Sequence, residues 1–129
     1  MSESEQVARR FIDALWKLET ANEVDPIVEL FAGECQVGNV VSPRTFEGKD
    51  GARAFWQIYR ETLGDVKSEF HNVIATEGRA ALEWTTTGTT HQGKKIDYGG
   101  VSILEFEDDR IARFWAYFDP SKLGHEIQG

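Results

Sequence analysis

Val7, Phe11, Leu15 and Leu18 recur at spacings of four, four and three, with Arg9, Arg10, Asp13 and Lys17 between them. That period predicts an amphipathic helix over residues 3–20. Asp25-Pro26 restarts a helix: the aspartate can accept from free first-turn amides, and proline suits the first helical position. Ile27, Leu30 and Phe31 give this short helix its apolar stripe, and Gly33 is its expected end. Residues 35–41 alternate weakly, as a strand does. Pro43 interrupts the pattern and places a second short strand, 45–47, at a sheet edge. A third helix follows, with Asp50 as its cap, Ala52, Phe55, Trp56, Tyr59 and Leu63 as its buried stripe, and Gly64 as its stop.

The remainder of the chain reads as four long strands over residues 66–76, 80–90, 95–106 and 111–118. Their breaks, Glu77-Gly78, Gln92-Gly93 and Asp108-Asp109, are short and turn-prone. Short breaks imply consecutive antiparallel strands. Strands this long twist and curl, and Gly99-Gly100 is a candidate bulge or bend. The expectation is an α+β fold in which a cone-shaped, curved antiparallel sheet of about six strands wraps around three helices from the N-terminal half. The open end of that cone is the natural pocket.

Composition narrows the function classes. At 129 residues the chain reads as one domain, 1–129, long enough for a real core. Fourteen Lys and Arg against 22 Asp and Glu give a net charge of −8, which disfavours nucleic acid and anionic membrane surfaces as partners. The polar, acidic start, Met1-Ser2-Glu3-Ser4-Glu5-Gln6, has neither the basic residues nor the apolar run of a secretory signal, so a cytoplasmic location is expected. One cysteine, Cys35, leaves no internal disulfide and reads as a small buried hydrophobe. His71, His91 and His125 stand too far apart for a ligand cluster, and no metal site is expected. No glycine-rich phosphate loop occurs either.

The fourth strand carries the candidate chemistry. Glu83, Thr85 and Thr87 share one face by period-two alternation, and Leu82, Trp84 and Thr86 share the other. If the first set faces the cone, Glu83 lies in a pocket walled by Phe114, Ala116 and Phe118, where desolvation suits a carboxyl to acid–base work. The opposite choice puts Trp84 inside and Glu83 in water. Asp119 is a second candidate carboxylate, and Asp119-Pro120 is equally a helix start capped by the aspartate. His71 lies on a long strand within possible reach of the cavity as a proton carrier. Tyr98, Ser102 and Asn39 supply polar groups able to orient a carbonyl oxygen. Together with the aromatic residues they describe a mostly apolar pocket suited to a small organic ligand.

The segments 27–32, 46–51, 84–93 and 109–115, together with Tyr117-Phe118-Asp119-Pro120, resemble the nuclear-transport-factor-2-like superfamily and, within it, the SnoaL-like branch. The resemblance covers nearly the whole chain and implies the cone fold. Ketosteroid isomerases of this superfamily place a tyrosine on the first helix, a base aspartate at the end of the first strand and a protonated aspartate on the fifth. The matching positions here are Phe11, Asn39 and Ser102, so that machinery is not expected. Limonene epoxide hydrolases use an Asp-Arg-Asp set with a tyrosine and an asparagine. Asp119 and Asn39 match the final aspartate and the asparagine, whereas Glu83, Thr85 and Val37 stand near the remaining positions. SnoaL-like cyclases rely chiefly on one aspartate of the last strand, and Asp119 is its nearest match. The resemblance thus implies cofactor-free acid–base chemistry on an apolar carbonyl compound, with Asp119 and Glu83 as the catalytic pair. The alternatives are a non-catalytic binding module and an epoxide hydrolase with a rearranged polar set. It also implies a homodimer formed through the outer sheet face, with Trp84 and Trp115 as anchors.

Overall fold

A computed structural model describes residues 2–41 and 44–121. Helix α1 (Glu3–Ala21) starts where the Ser2 hydroxyl accepts from the Glu5 amide, with Glu3 and Glu5 favourably placed in the first turn. It ends at Asn22, which takes the left-handed conformation (φ 58°). Its apolar face, Val7, Phe11, Leu15 and Leu18, is fully buried. Helix α2 (Asp25–Val28) is a single turn opened by Pro26, shorter than the sequence suggests.

Strand β1 (Phe31–Asn39) begins four residues before the predicted start, and Gly33 lies inside it rather than ending a helix. The cause is tertiary. The Ile111 amide donates to the Leu30 carbonyl, drawing this segment into the sheet. Strand β2 (Phe46–Glu47) pairs with β1, and helix α3 (Gly48–Leu63) follows directly, beginning two residues before the predicted cap at Asp50. Pro43 lies outside the described residues. Strands β3 (Asp65–Thr76), β4 (Arg79–Thr89), β5 (Lys95–Glu107) and β6 (Arg110–Phe118) match the predicted four to within about a residue at most ends.

The six strands form one sheet in the order β2-β1-β6-β5-β4-β3. The meander from β3 to β6 is antiparallel as expected. The sheet is nevertheless mixed, because β1 lies parallel to β6. Register shifts fall between Phe70 and Asn72 and between Glu105 and Phe106, not at Gly99-Gly100. Gly100 serves a different need. A Cβ there would lie 2.3 Å from the Tyr117 carbonyl oxygen and 3.0 Å from the Trp84 ring. Helix α1 packs on β3 and α3 on β1, so the helices close the concave face and the core lies between.

Candidate ligand pocket

Strand register sorts the concave face into rows. Ser68, Thr86 and Tyr98 lie side by side across β3, β4 and β5. The next row holds Phe70, Trp84, Gly100 and Phe118, and the one after it Leu82, Ser102, Ala116 and Asn39. Each row sits two residues along from the last, so the two polar rows stand about 13 Å apart along the strands. Between them the aromatic rings cluster, with centroids 5.2 Å apart for Trp84–Tyr98 and 5.3 Å for Tyr98–Phe118. Such edge-on pairs hold rings in fixed orientations.

The helices supply the opposite wall. Phe11 and Leu15 of α1 and Phe55, Trp56 and Tyr59 of α3 face the strands across a cavity of about 260 Å³. The Trp56 and Phe11 rings pack on Phe114 at 5.1 and 5.4 Å. Arg44 is the one charged side chain on the wall among the described residues. The surface is otherwise apolar, with a few polar fixtures, as small-molecule sites are.

Behind this wall sits a buried carboxylate that the sequence did not flag. Glu19, 4% exposed, is in the last turn of α1. Its Oε2 accepts from the Tyr59 hydroxyl at 2.7 Å and the Ser68 hydroxyl at 2.6 Å, and its Oε1 accepts from the Ser68 amide at 2.9 Å. Ser68 Oγ is in turn 2.7 Å from Thr86 Oγ1, and Tyr98 is the cross-strand neighbour of Thr86. The Trp16 indole donates to the Ser68 carbonyl at 2.8 Å, so α1 grips both backbone groups of this residue. Burial pushes the Tyr98 phenol well above its usual range, and the negative charge of Glu19 adds to the effect. Tyr59 is also pushed up, by burial first, then by the neighbouring Tyr98 and by Glu19.

The second polar row has the opposite character. Ser102 Oγ accepts from the Trp84 indole at 2.9 Å, which leaves its own proton to donate. Asn39 Oδ1 accepts from the Val41 amide at 3.0 Å, leaving its NH₂ as the donor side. Trp56, also on the wall, has a buried N–H with no partner among the described residues.

Of the residues expected from sequence, Asn39, Tyr98, Ser102, Phe114, Ala116 and Phe118 line the cavity. Glu83, Thr85, His71 and Asp119 do not. Glu83 is exposed on the convex face because the alternation runs the other way. Trp84 and Thr86 take the inner positions, where the indole finds Ser102 and the hydroxyl finds Ser68. Thr85 shares the outer face, and His71 sits at the register shift of β3, where its Nε2 lies 2.8 Å from Thr85 Oγ1 on the exposed side. Asp119 lies exposed beyond the end of β6. Its Oδ1 accepts from the Ser121 amide at 3.0 Å and the Ser121 hydroxyl at 2.7 Å, the geometry of a cap. Trp84, expected on the outer face as a dimer anchor, is instead 8% exposed in the core. Cys35 is buried and free, its thiol pushed up by burial. His125 lies outside the described residues.

Glu19, Tyr59, Ser68 and Thr86 were missed as a set, yet a signal was there. Glu19 falls four residues after Leu15, on the apolar stripe of α1, where a charge is out of place unless it is held.

The fold and this pocket together define a small α+β cone with a cavity between helices and sheet. The chain belongs to the SnoaL-like domain family, whose model matches residues 8–114. No relative among curated proteins matches the sequence. Solved structures of the same fold include an NTF2-like protein of unknown function from Burkholderia pseudomallei K96243, 20% identical over all of both chains with a TM-score of 0.84. TerC, co-crystallized with polyporic acid, is 14% identical over 99% of this chain and 100% of its own, with a TM-score of 0.83. A candidate SnoaL-like polyketide cyclase from Jannaschia sp. CCS1 is 15% identical over 94% and 93%, with a TM-score of 0.74. Among the described residues no helix is long and apolar enough to cross a membrane.

Proposed function

We propose that the cone binds one small, mostly apolar organic molecule that carries a carbonyl, with the carbonyl oxygen accepting from Ser102 and Asn39. The observation that carries this reading is the donor row itself. Two side chains that already accept a hydrogen bond present protons into a mostly apolar cavity of about 260 Å³. The co-crystal of TerC with polyporic acid supports an organic ligand for a cone of this shape. Turnover of that ligand by cofactor-free acid–base chemistry is a second reading, and one feature favours it. Glu19 is the only buried carboxylate among the described residues, and Ser68 and Thr86 link it to the cavity wall. In this reading the acid–base role moves to Glu19 from Asp119 and Glu83, which face water. We further propose a homodimer through the convex sheet face.

Binding is tested with acetophenone and its carbonyl-free counterpart ethylbenzene, read by quenching of Trp56 and Trp84 fluorescence. Acetophenone is expected to saturate the quenching and to bind about tenfold tighter than ethylbenzene, the size of one net hydrogen bond. Ser102→Ala is expected to erase most of that preference. Absence of saturable quenching by either compound would overturn the pocket reading.

A further inference from the structure

We propose that the end of the cone nearest Glu19 takes the hydrogen-bond-donating end of the ligand, an un-ionised hydroxyl of phenolic or enolic type, opposite the carbonyl held by Ser102 and Asn39. The inference rests on the pocket reading above and adds the polarity of the second end.

It follows from where each proton must go. A carboxylate only accepts, so the single proton of Ser68, 2.6 Å from Glu19 Oε2, points to Glu19. With that proton committed, the 2.7 Å contact between Ser68 and Thr86 can be made only by the Thr86 proton. Tyr59 donates to Glu19 directly. Three hydroxyl protons, those of Ser68, Thr86 and Tyr59, therefore run toward one buried carboxylate. What Tyr59 offers the cavity in return is oxygen lone pairs, with a negative charge behind them.

A ligand carbonyl placed at this end would meet lone pairs with lone pairs, and a phenolate would also meet the charge of Glu19. A ligand hydroxyl completes the chain instead, donating onto Tyr59. The titratable groups in hydrogen-bond contact with the network are Tyr59 from α3 and Glu19 from α1; Tyr98 of β5 stands beside Thr86, and the cation on the cavity wall, Arg44, lies over the Phe46 ring at 4.4 Å. Both phenols are held in their neutral, protonated form, chiefly by burial, so Glu19 is the anion of the network and it repels a phenolate. The two polar rows, about 13 Å apart along the strands, fit a ligand with a hydroxyl at one end, a carbonyl at the other and apolar rings between.

The test uses 4-nitrophenol, whose ionised form is yellow, and 4-nitroanisole, its methyl ether, with the intact protein. The expected result is that 4-nitrophenol binds in its colourless form and at least about tenfold tighter than the ether, one hydrogen bond's worth. Its apparent pKa on the protein should then rise, with affinity falling as pH passes the probe's own ionisation. Glu19→Gln, which keeps the shape and removes the charge, should reduce that rise, and Tyr59→Phe should weaken 4-nitrophenol more than the ether. Preferential binding of the yellow phenolate, or equal binding of the ether, overturns the inference, and wild-type protein alone decides both. If acetophenone binds but the hydroxyl gains nothing, only this inference fails. If no probe binds, the pocket reading fails with it.

Discussion

Two buried phenols make the hydroxyl row sensitive to alkali. Tyr98 and Tyr59 both have their pKa raised, chiefly by burial and further by the charge of Glu19. The folded protein therefore keeps protons that the unfolded chain releases from about pH 10 upward. Below that pH both states hold the proton and nothing changes. Above it the unfolded state binds fewer protons than the native one, so stability falls as pH rises. Each tyrosine contributes a slope of about 1.4 kcal/mol per pH unit until its native pKa is reached. Denaturant midpoints measured from about pH 9 to about pH 11 should show this fall, and Tyr98→Phe should remove roughly half of the pair's share. An unchanged slope in that variant would show that Tyr98 titrates as it does in the unfolded chain.

At the scale of elements, β5 illustrates how close packing replaces a bulge. Gly100 pairs regularly with Trp84 and Phe118, and its missing side chain lets the strand run against the Tyr117 carbonyl. Gly100→Ala should cost about 1–3 kcal/mol, the range for overpacking, read as a lower urea midpoint with unchanged m-value. A neutral substitution would mean that β5 and β6 can separate without loss. The sequence announced the number, type and approximate limits of the long elements, because each carries a long periodic pattern bounded by turn residues. It did not announce which face of β4 turns inward. The reason is physical. The convex face carries its own apolar row, in which Ile74, Ala81, Ile103 and Trp115 lie side by side across β3 to β6. Alternation between two half-apolar faces gives the period and leaves inside and outside undecided, so Glu83 was as eligible as Trp84. The parallel pairing of β1 with β6 was equally hidden, since it joins segments some 75 residues apart, such as Gly38 and Trp115. Ile27 to Phe31 suits a helix or a strand until the Ile111 amide claims it. Within the site, single wall residues such as Asn39, Tyr98 and Ser102 were legible from strand parity. The Glu19 network was not, because it joins four elements, α1, α3, β3 and β4, through side chains.

On the scale of the whole molecule, the convex row raises the question of what covers it. Ile74 is 58% exposed and Tyr117, which sits one row over beside Val101, is 45% exposed. Trp115 lies against Gly38, where a Cβ would come within 2.4 Å of the ring, and its other flank is met by the Arg113 guanidinium 5.2 Å from the ring centroid. Arg113 also pairs with Glu105 at 3.5 Å, so a charged row borders the apolar one. An apolar strip with a polar border, on a sheet face opposite the ligand cavity, is the pattern of a protein interface. A second copy can lay the same strip across it by two-fold symmetry, leaving both cones open. The expected outcome is a wild-type particle of twice the chain mass by light scattering, and a monomer for the double substitution Ile74→Lys and Tyr117→Lys. The two lysines bring the net charge of each chain from −8 to −8 + 2 = −6. General charge repulsion between copies is thereby weakened, and dissociation would report the loss of the apolar contact itself. Both side chains are exposed in the monomer, so its stability should move by no more than about 0.5 kcal/mol. Binding of acetophenone should be unchanged, since neither residue lines the cavity. A wild-type chain that is monomeric at every accessible concentration would leave the strip without the partner argued here.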